Sequence, residues 1–248
     1  MILISGGTGT LGRELVQRLV ASGRPVRVLT RQLERASALP IQVERALGDL
    51  CDPSSLSAAL RGCSTVVAAA HGFLGPGHPS PEAVDRDGNR ALIAAARAAG
   101  VAHFVLLSVH GARPDHPMSL CRAKHQAEEA LRDSELPFTI IRATPFLETW
   151  LQVMRDMLNR KGRAVVFGAG TNPINFVSVR DVAMLVALAV GGETPAGETF
   201  ELGGPEDLGL ATLAKRVAGA SGSSAPLEHI PLAALLFDTI RARPDHLA

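Results

Sequence analysis

Ile2-Leu3-Ile4-Ser5-Gly6-Gly7-Thr8-Gly9-Thr10-Leu11-Gly12 opens with an apolar run too short for a helix and breaks at once into glycines. Beyond Gly12, the residues Leu15, Val16, Leu19 and Val20 recur at helical spacing, so the stretch predicts a strand, a tight turn and a helix. The glycines fit both Gly7-x-Gly9-x-x-Gly12 and Gly6-x-x-Gly9-x-x-Gly12. Either spacing leaves bare backbone where a pyrophosphate can approach the unpaired N–H groups and positive dipole end of a helix. A glycine turn between strand and helix is the context a dinucleotide-binding motif requires. The expected contacts are Gly6, Gly7, Thr8, Gly9, Thr10, Leu11 and Gly12.

Working outward, strand and helix alternate. Strands are expected at Pro25 to Thr30, Ile41 to Ala46, Thr65 to Ala70, His103 to Leu107 and Phe138 to Arg142. Helices are expected after Asp52-Pro53, where Asp52 caps and Pro53 takes the first position, at Val84 to Ala99, and from Lys124 to Arg132. This alternation predicts an α/β fold with a doubly wound parallel sheet. After Arg142 the pattern loosens. Helices are expected at Phe146 to Arg160, Val179 to Val190 and Leu210 to Ala220. Short strands are expected near Ala164 to Phe167, Asn175 to Val177 and Glu198 to Leu202. Residues 1–145 are read as the dinucleotide-binding domain. Residues 146–248 are read as a smaller lobe, interleaved with the first and lying over the carboxyl ends of the strands, where open α/β sheets bind ligands.

At 248 residues and 46% hydrophobic the chain can bury a full core. A net charge of +1 argues against nucleic-acid binding. Cys51, Cys63 and Cys121 are too few and too widely spaced for a disulfide framework or a zinc site, and no metal is expected. No apolar run reaches about 18 residues, and no basic segment precedes the first strand. The expectation is a cytoplasmic protein without a membrane span, monomeric or homodimeric.

The end of the second strand selects the cofactor. An acidic residue there would bond the adenosine ribose hydroxyls of NAD, whereas an arginine accommodates the 2′-phosphate of NADP. The chain has Thr30-Arg31, with Arg35 one turn on and no carboxylate before Glu34. NADP is favoured, with NAD as second choice.

Ser5-Gly6-Gly7-Thr8-Gly9-Thr10-Leu11-Gly12 is followed in order by Gly48-Asp49-Leu50, Asp87-Gly88-Asn89, Ala94 to Val101, and Phe104-Val105-Leu106-Leu107-Ser108. Over about the first 150 residues, and more weakly through Phe176 to Ala183, the chain resembles the atypical short-chain dehydrogenase/reductases, and among them the NmrA-like NAD(P)-binding proteins. The resemblance implies a Rossmann-type fold, with Asp49 and Leu50 beside the adenine. It further implies that Ala69 and Ala70 line the cofactor, and that Ser108 ends its strand at the reacting centre.

One departure bears on chemistry. Relatives that interconvert carbonyls and alcohols use a Tyr followed four residues later by a Lys, side by side on one helical face. The phenol donates the proton, and the ammonium lowers its pKa and holds the nicotinamide ribose. Here Leu120-Cys121-Arg122-Ala123-Lys124 keeps the Lys and puts Leu at the Tyr position, and the chain contains no Tyr.

Three outcomes follow. His71, after the fourth strand, or His110, two residues past Ser108, substitutes as the acid near neutrality. Alternatively the acceptor is a quinone or another conjugated small molecule, in which added charge spreads over the π-system and water supplies the proton. In the third, the cofactor binds without turnover and the protein is a redox sensor or regulator of NmrA type.

Thr144-Pro145, after the sixth strand, are placed at the nicotinamide. Lys124 is one of only three lysines, with Lys161 and Lys215, which points to a specific role. The loop Gly72 to Pro81 suits a substrate cover. Phe73, Leu74, Phe146, Leu147 and Trp150 are expected to form an apolar wall for a flat hydrophobic ligand. The apolar tail Pro231 to Phe237 is expected to pack on the body or on a second subunit.

Overall fold

The structure is a computed structural model that describes residues 1–72, 79–222 and 226–231. Seven parallel strands form the main sheet, in the order β3-β2-β1-β4-β5-β6-β9. They are β1 (Ile2–Ser5), β2 (Val26–Thr30), β3 (Glu44–Leu47), β4 (Thr65–Ala68), β5 (His103–Val109), β6 (Phe138–Ala143) and β9 (Glu198–Leu202). The order reverses between β1 and β4, so the two connections leaving these strands diverge at the carboxyl edge and open a crevice there.

The helices are α1 (Thr10–Ala21), α2 (Leu56–Leu60), α3 (Asn89–Ala98), α4 (Ser119–Arg132), α5 (Leu147–Lys161), α6 (Val179–Gly191) and α7 (Leu210–Ala220). Alternation along the strands sends side chains to both faces, and each face is apolar. Leu3, Val66, Phe104, Leu106 and Ile140 pack with Leu60, Leu92, Ala96, Ala127 and Leu131 into one buried cluster. α1 packs against α6, which in turn contacts β5 and β6.

The described residues form two compact units, those of 1–144 with 177–203, and those of 145–176 with 204–231. In the second, β7 (Ala164–Phe167) pairs in parallel with β11 (Leu227–Ile230), and β8 (Ile174–Asn175) pairs antiparallel with β10 (Asp207–Leu208). Its core contains Met154, Phe176, Leu213 and Val217.

Several boundaries differ from the sequence reading. β3 begins at Glu44 rather than Ile41, because the Val43 amide closes a turn on the Pro40 carbonyl at 3.0 Å and Ile41 is left 88% exposed. β4 ends at Ala68, where the Ala69 amide makes a last bond to Ser5 O before the chain leaves the sheet. α4 starts at Ser119, five residues early, with the Arg122 guanidinium donating to the carbonyls of His116 and Pro117 ahead of it. β8 is one residue earlier and shorter than expected. The Asn175 amide braces it to Gly204 and Asp207.

The helix expected from Val84 begins as a π-helical turn, Glu82–Gly88, and becomes α only at Asn89. Wider turns of this kind are rare and frequent at functional sites.

Candidate functional site

The glycine turn is shaped by close approach. Gly6 sits at φ +80°, and a Cβ there would lie 2.6 Å from the backbone of Ala69 and Ala70. A Cβ on Gly12 would stand 2.1 Å from Gly6 O, and one on Gly7 would meet Val28 Cγ2 at 2.7 Å. Gly9 differs, because a Cβ there meets only Gly6 O, at 3.3 Å, and otherwise points into open space. The Gly9 amide closes the turn on Gly6 O at 3.0 Å, and the Arg13 amide opens α1 on Gly9 O.

No side chain caps α1 and no carboxylate occupies its first turn, so its positive end faces outward past the exposed Gly9 and Thr10. Thr8 is half-buried, its carbonyl held by Arg13 Nε at 2.9 Å, and Leu11 is buried beneath. These residues fit a pyrophosphate, with bare backbone and free N–H groups on the open side of an otherwise filled turn.

At the end of β2 the Thr30 hydroxyl donates to Gln32 O at 2.8 Å and accepts from the Gln32 amide, turning the chain outward and leaving Arg31 and Arg35 exposed. Asp49 accepts from the Cys51 amide at 3.0 Å, while its own amide donates to Ser55 Oγ. Burial and the charge of Asp49 push the Cys51 thiol up, and the Arg31 guanidinium opposes them. Leu50 is buried, and Gly88 permits the close approach, since a Cβ there would stand 2.9 Å from Leu50 Cβ. Ala69 and Ala70 are half-buried against Gly6.

Two buried ionic clusters lie under the carboxyl ends of β4 to β6. In the first, Asp85 on the π turn is fully buried and Lys124 on α4 is 3% exposed. Lys124 Nζ lies 2.9 Å from Asp85 Oδ1 and donates to Leu107 O at 2.7 Å. The Gly72 amide donates to Asp85 Oδ2 at 2.8 Å, and Asn89 Nδ2 donates to the Asp85 carbonyl at 2.9 Å. His71, next to Gly72, keeps an exposed edge. Burial, the largest influence, holds its pKa below the ordinary imidazole value, with Asp85 pulling it up and Lys124 pushing it further down. Leu120, half-buried in the first turn of α4, precedes Lys124 by one turn.

The second cluster takes up the other candidates. Ser108, Arg142 and Glu201 lie side by side on β5, β6 and β9. The Ser108 hydroxyl donates to Glu128 Oε1 at 2.5 Å, and Arg142 donates to both oxygens of the same carboxylate, at 2.9 and 2.7 Å. Burial pushes the Glu128 carboxyl up, but hydrogen bonds from Arg142 and Ser108 win and hold it below the usual carboxylate value. Those bonds raise the Arg142 guanidinium in turn. His110 is 60% exposed at the rim, its Nδ1 2.7 Å from Glu201 Oε2.

The structure thus ties Gly72, the neighbour of His71, to Lys124 through Asp85, and gathers Ser108 and His110 around Glu128 and Glu201. The Thr144 amide bonds Leu202 O, and Pro145 begins the second unit. Leu147 and Trp150 pack on the core of that unit, Trp150 edge-on to Phe176 at 6.2 Å. Phe73, Leu74 and the tail beyond Pro231 lie outside the described residues. Among the described residues no cluster is placed to hold a metal, and no helix is long and apolar enough to cross a membrane.

Asp85, Asn89, Glu128 and Arg142 were missed from the sequence. A signal existed, because Asp85, Asn89, Leu92 and Ala96 fall on one helical stripe, as do Cys121, Lys124, Glu128 and Leu131. Polar residues on a stripe otherwise made of core side chains are candidates for buried pairs.

Residues 6–190 match the family described as NAD(P)H-binding. Over 207 residues the chain is 35% identical to a (4-alkanoyl-5-oxo-2,5-dihydrofuran-3-yl)methyl phosphate reductase of Streptomyces griseus, covering 83% of this chain and 68% of the relative. It is 29% identical over 239 residues to the photosystem II assembly factor Ycf39 of Synechocystis, covering 95% and 72%. The fold resembles the NADPH complex of the quinone oxidoreductase QOR2 from Escherichia coli, with a TM-score of 0.76, 25% identity, and 96% and 83% of the two chains covered.

Proposed function

The chain belongs to the NAD(P)H-binding family, and on that premise we propose that it is an NADPH-dependent reductase of a conjugated small molecule such as a quinone or an unsaturated lactone. One observation carries the reading. Lys124 is kept, buried and paired with Asp85, one turn after a leucine, in a chain without tyrosine. Unconjugated aldehydes and ketones need an acid as the electron pair arrives on oxygen. A conjugated acceptor spreads that charge and tolerates a weaker or later donor.

The relatives support this acceptor class. The Streptomyces relative is named for a dihydrofuranone whose ring double bond is conjugated to carbonyls, and the Escherichia coli neighbour is a quinone oxidoreductase.

The reduced nicotinamide supplies a hydride when bound. Gly6 to Gly12 and the first turn of α1 hold its pyrophosphate, Asp49 and Leu50 its adenine side, and Arg31 with Arg35 its 2′-phosphate. Ala69, Ala70 and Thr144 would border it, and Lys124 would sit by the ribose next to the reacting ring. Arg31 and Arg35 support NADPH over NADH, since no carboxylate at the end of β2 competes for the ribose hydroxyls.

A second reading, in which bound cofactor alters partner binding without turnover, has its own support in the likeness to the photosystem II assembly factor Ycf39. Titration with NADPH and NADH, followed by quinones and butenolides while the reduced-nicotinamide absorbance is recorded, separates the two. Acceptor-dependent oxidation of NADPH supports the reductase. Tight binding with no oxidation by any acceptor favours the second reading, and no binding removes both.

A further inference from the structure

A buried ion pair is an unpromising way to stabilise a fold, because desolvating both charges offsets most of their attraction. Asp85 and Lys124 nonetheless sit together in the interior, and four features converge on Asp85. The π turn carries Asp85 to the buried face, and Asn89 holds its main-chain carbonyl. One carboxylate oxygen meets Lys124 of α4, and the other takes the amide of Gly72, the neighbour of His71. A single side chain therefore joins the segment after β4 to α4 at the point where the imidazole reaches solvent.

We propose that His71 is the proton donor that replaces the missing phenol, and that Asp85 is the positioning residue that keeps His71 able to carry the proton. This rests on the reductase reading above. As the conjugated acceptor accepts hydride, a new C–H bond forms, its π bond opens and the electron pair settles on the carbonyl oxygen as an enolate or phenolate. That oxygen takes the proton of the His71 imidazolium, whose N–H bond breaks. The neutral ring then recovers a proton from water at its exposed edge. The charged groups acting on the ring from the packed elements are Asp85 from the π turn and Lys124 from α4, and they act in opposite senses.

Side-chain nitrogen NMR on the cofactor-free full chain reads the titration of His71 directly, with His71→Gln assigning the signal. Asp85→Asn should lower the midpoint by about half a pH unit or more, and Lys124→Met should raise it by a similar amount. The double variant should return it close to wild type, and where one single variant fails to fold the other reads the shift alone. In turnover, His71→Gln should lower kcat about a hundredfold with the KM for NADPH within about threefold. Activity should fall as pH rises through the His71 midpoint, and that limb should move to lower pH in Asp85→Asn. An unchanged His71 midpoint in both single variants overturns the proposal, as does a limb that ignores the midpoint. If the wild type reduces no acceptor, the reductase reading fails and the donor role with it, while the NMR shifts still report whether Asp85 governs His71.

Discussion

The hydroxyl of Ser108 donates to Glu128 at 2.5 Å, inside the protein and in register with Arg142 on the next strand. Its hydrogen is therefore committed to a buried carboxylate. Ser108→Ala should leave kcat with a quinone within about threefold of wild type and cost about 1–2 kcal/mol of stability. Urea unfolding beside a turnover assay checks both, and a hundredfold loss of kcat would return Ser108 to the reacting centre.

Glu128 gives the fold an acid limit. Its carboxyl lies below its unfolded value because the pull of Arg142 and Ser108 exceeds the effect of burial. A group depressed on folding contributes its stability above the unfolded pKa, about 4.3, and loses it as pH falls through the lower folded value. Unfolding followed from pH 7 to pH 3 should show a steep loss of stability below about pH 4.3. Glu128→Gln should be about 3 kcal/mol less stable at pH 7, the low end for a broken buried pair because Arg142 keeps Glu201. Its loss of stability below that pH should be shallower. Equal slopes in the two proteins would remove Glu128 from the account.

Gly9 and Gly12 separate folding from binding. Gly12→Ala drives a methyl to 2.1 Å from Gly6 O and should cost about 3 kcal/mol or more, or prevent folding. Gly9→Ala meets only an oxygen at 3.3 Å and should fold with stability within about 1 kcal/mol of wild type. Its methyl stands where the pyrophosphate approaches, so NADPH affinity should fall at least about tenfold, near 1.4 kcal/mol. Calorimetric titration beside thermal unfolding decides the matter, and unaltered affinity would place the anion elsewhere.

Leu120→Tyr restores the familiar spacing to Lys124 without restoring the arrangement around it. Lys124 already serves Asp85 and Leu107 O, and Ser108 serves Glu128. The variant should show no measurable reduction of a panel of unconjugated aldehydes and ketones. Turnover on that panel would show that the older geometry persists.

The first unit was legible where local signals and global packing agree. Ile2 to Gly12 specified a strand, a turn and a helix because glycine spacing and apolar periodicity point the same way there, and the expected parallel sheet followed from the alternation beyond it. Ile41 misled because apolar character outweighed the turn that Pro40 begins. The pairing of β8 with β10 was invisible, since two-residue strands have no alternation to read. The meeting of Ser108, Arg142 and Glu201 depends on the register of three strands far apart in sequence. Asp85 shares a helical stripe with Asn89, Leu92 and Ala96, but the π turn on which it sits is not announced by that periodicity.

The chain leaves the first unit after Thr144, returns at Val177 to supply α6 and β9, and leaves again after Gly203. No single cut therefore releases the first unit free of the second, since a break after Gly203 leaves residues 145–176 attached. A proteolytic nick near residue 145 would strand the edge strand β9, whose Glu201 anchors Arg142, together with the helix that covers α1. Residues 1–144 and 177–203 hold every strand of the seven-stranded sheet, and the excursion between them holds none of these. Swapping that excursion between relatives exchanges part of the second unit while the seven-stranded sheet stays as it is.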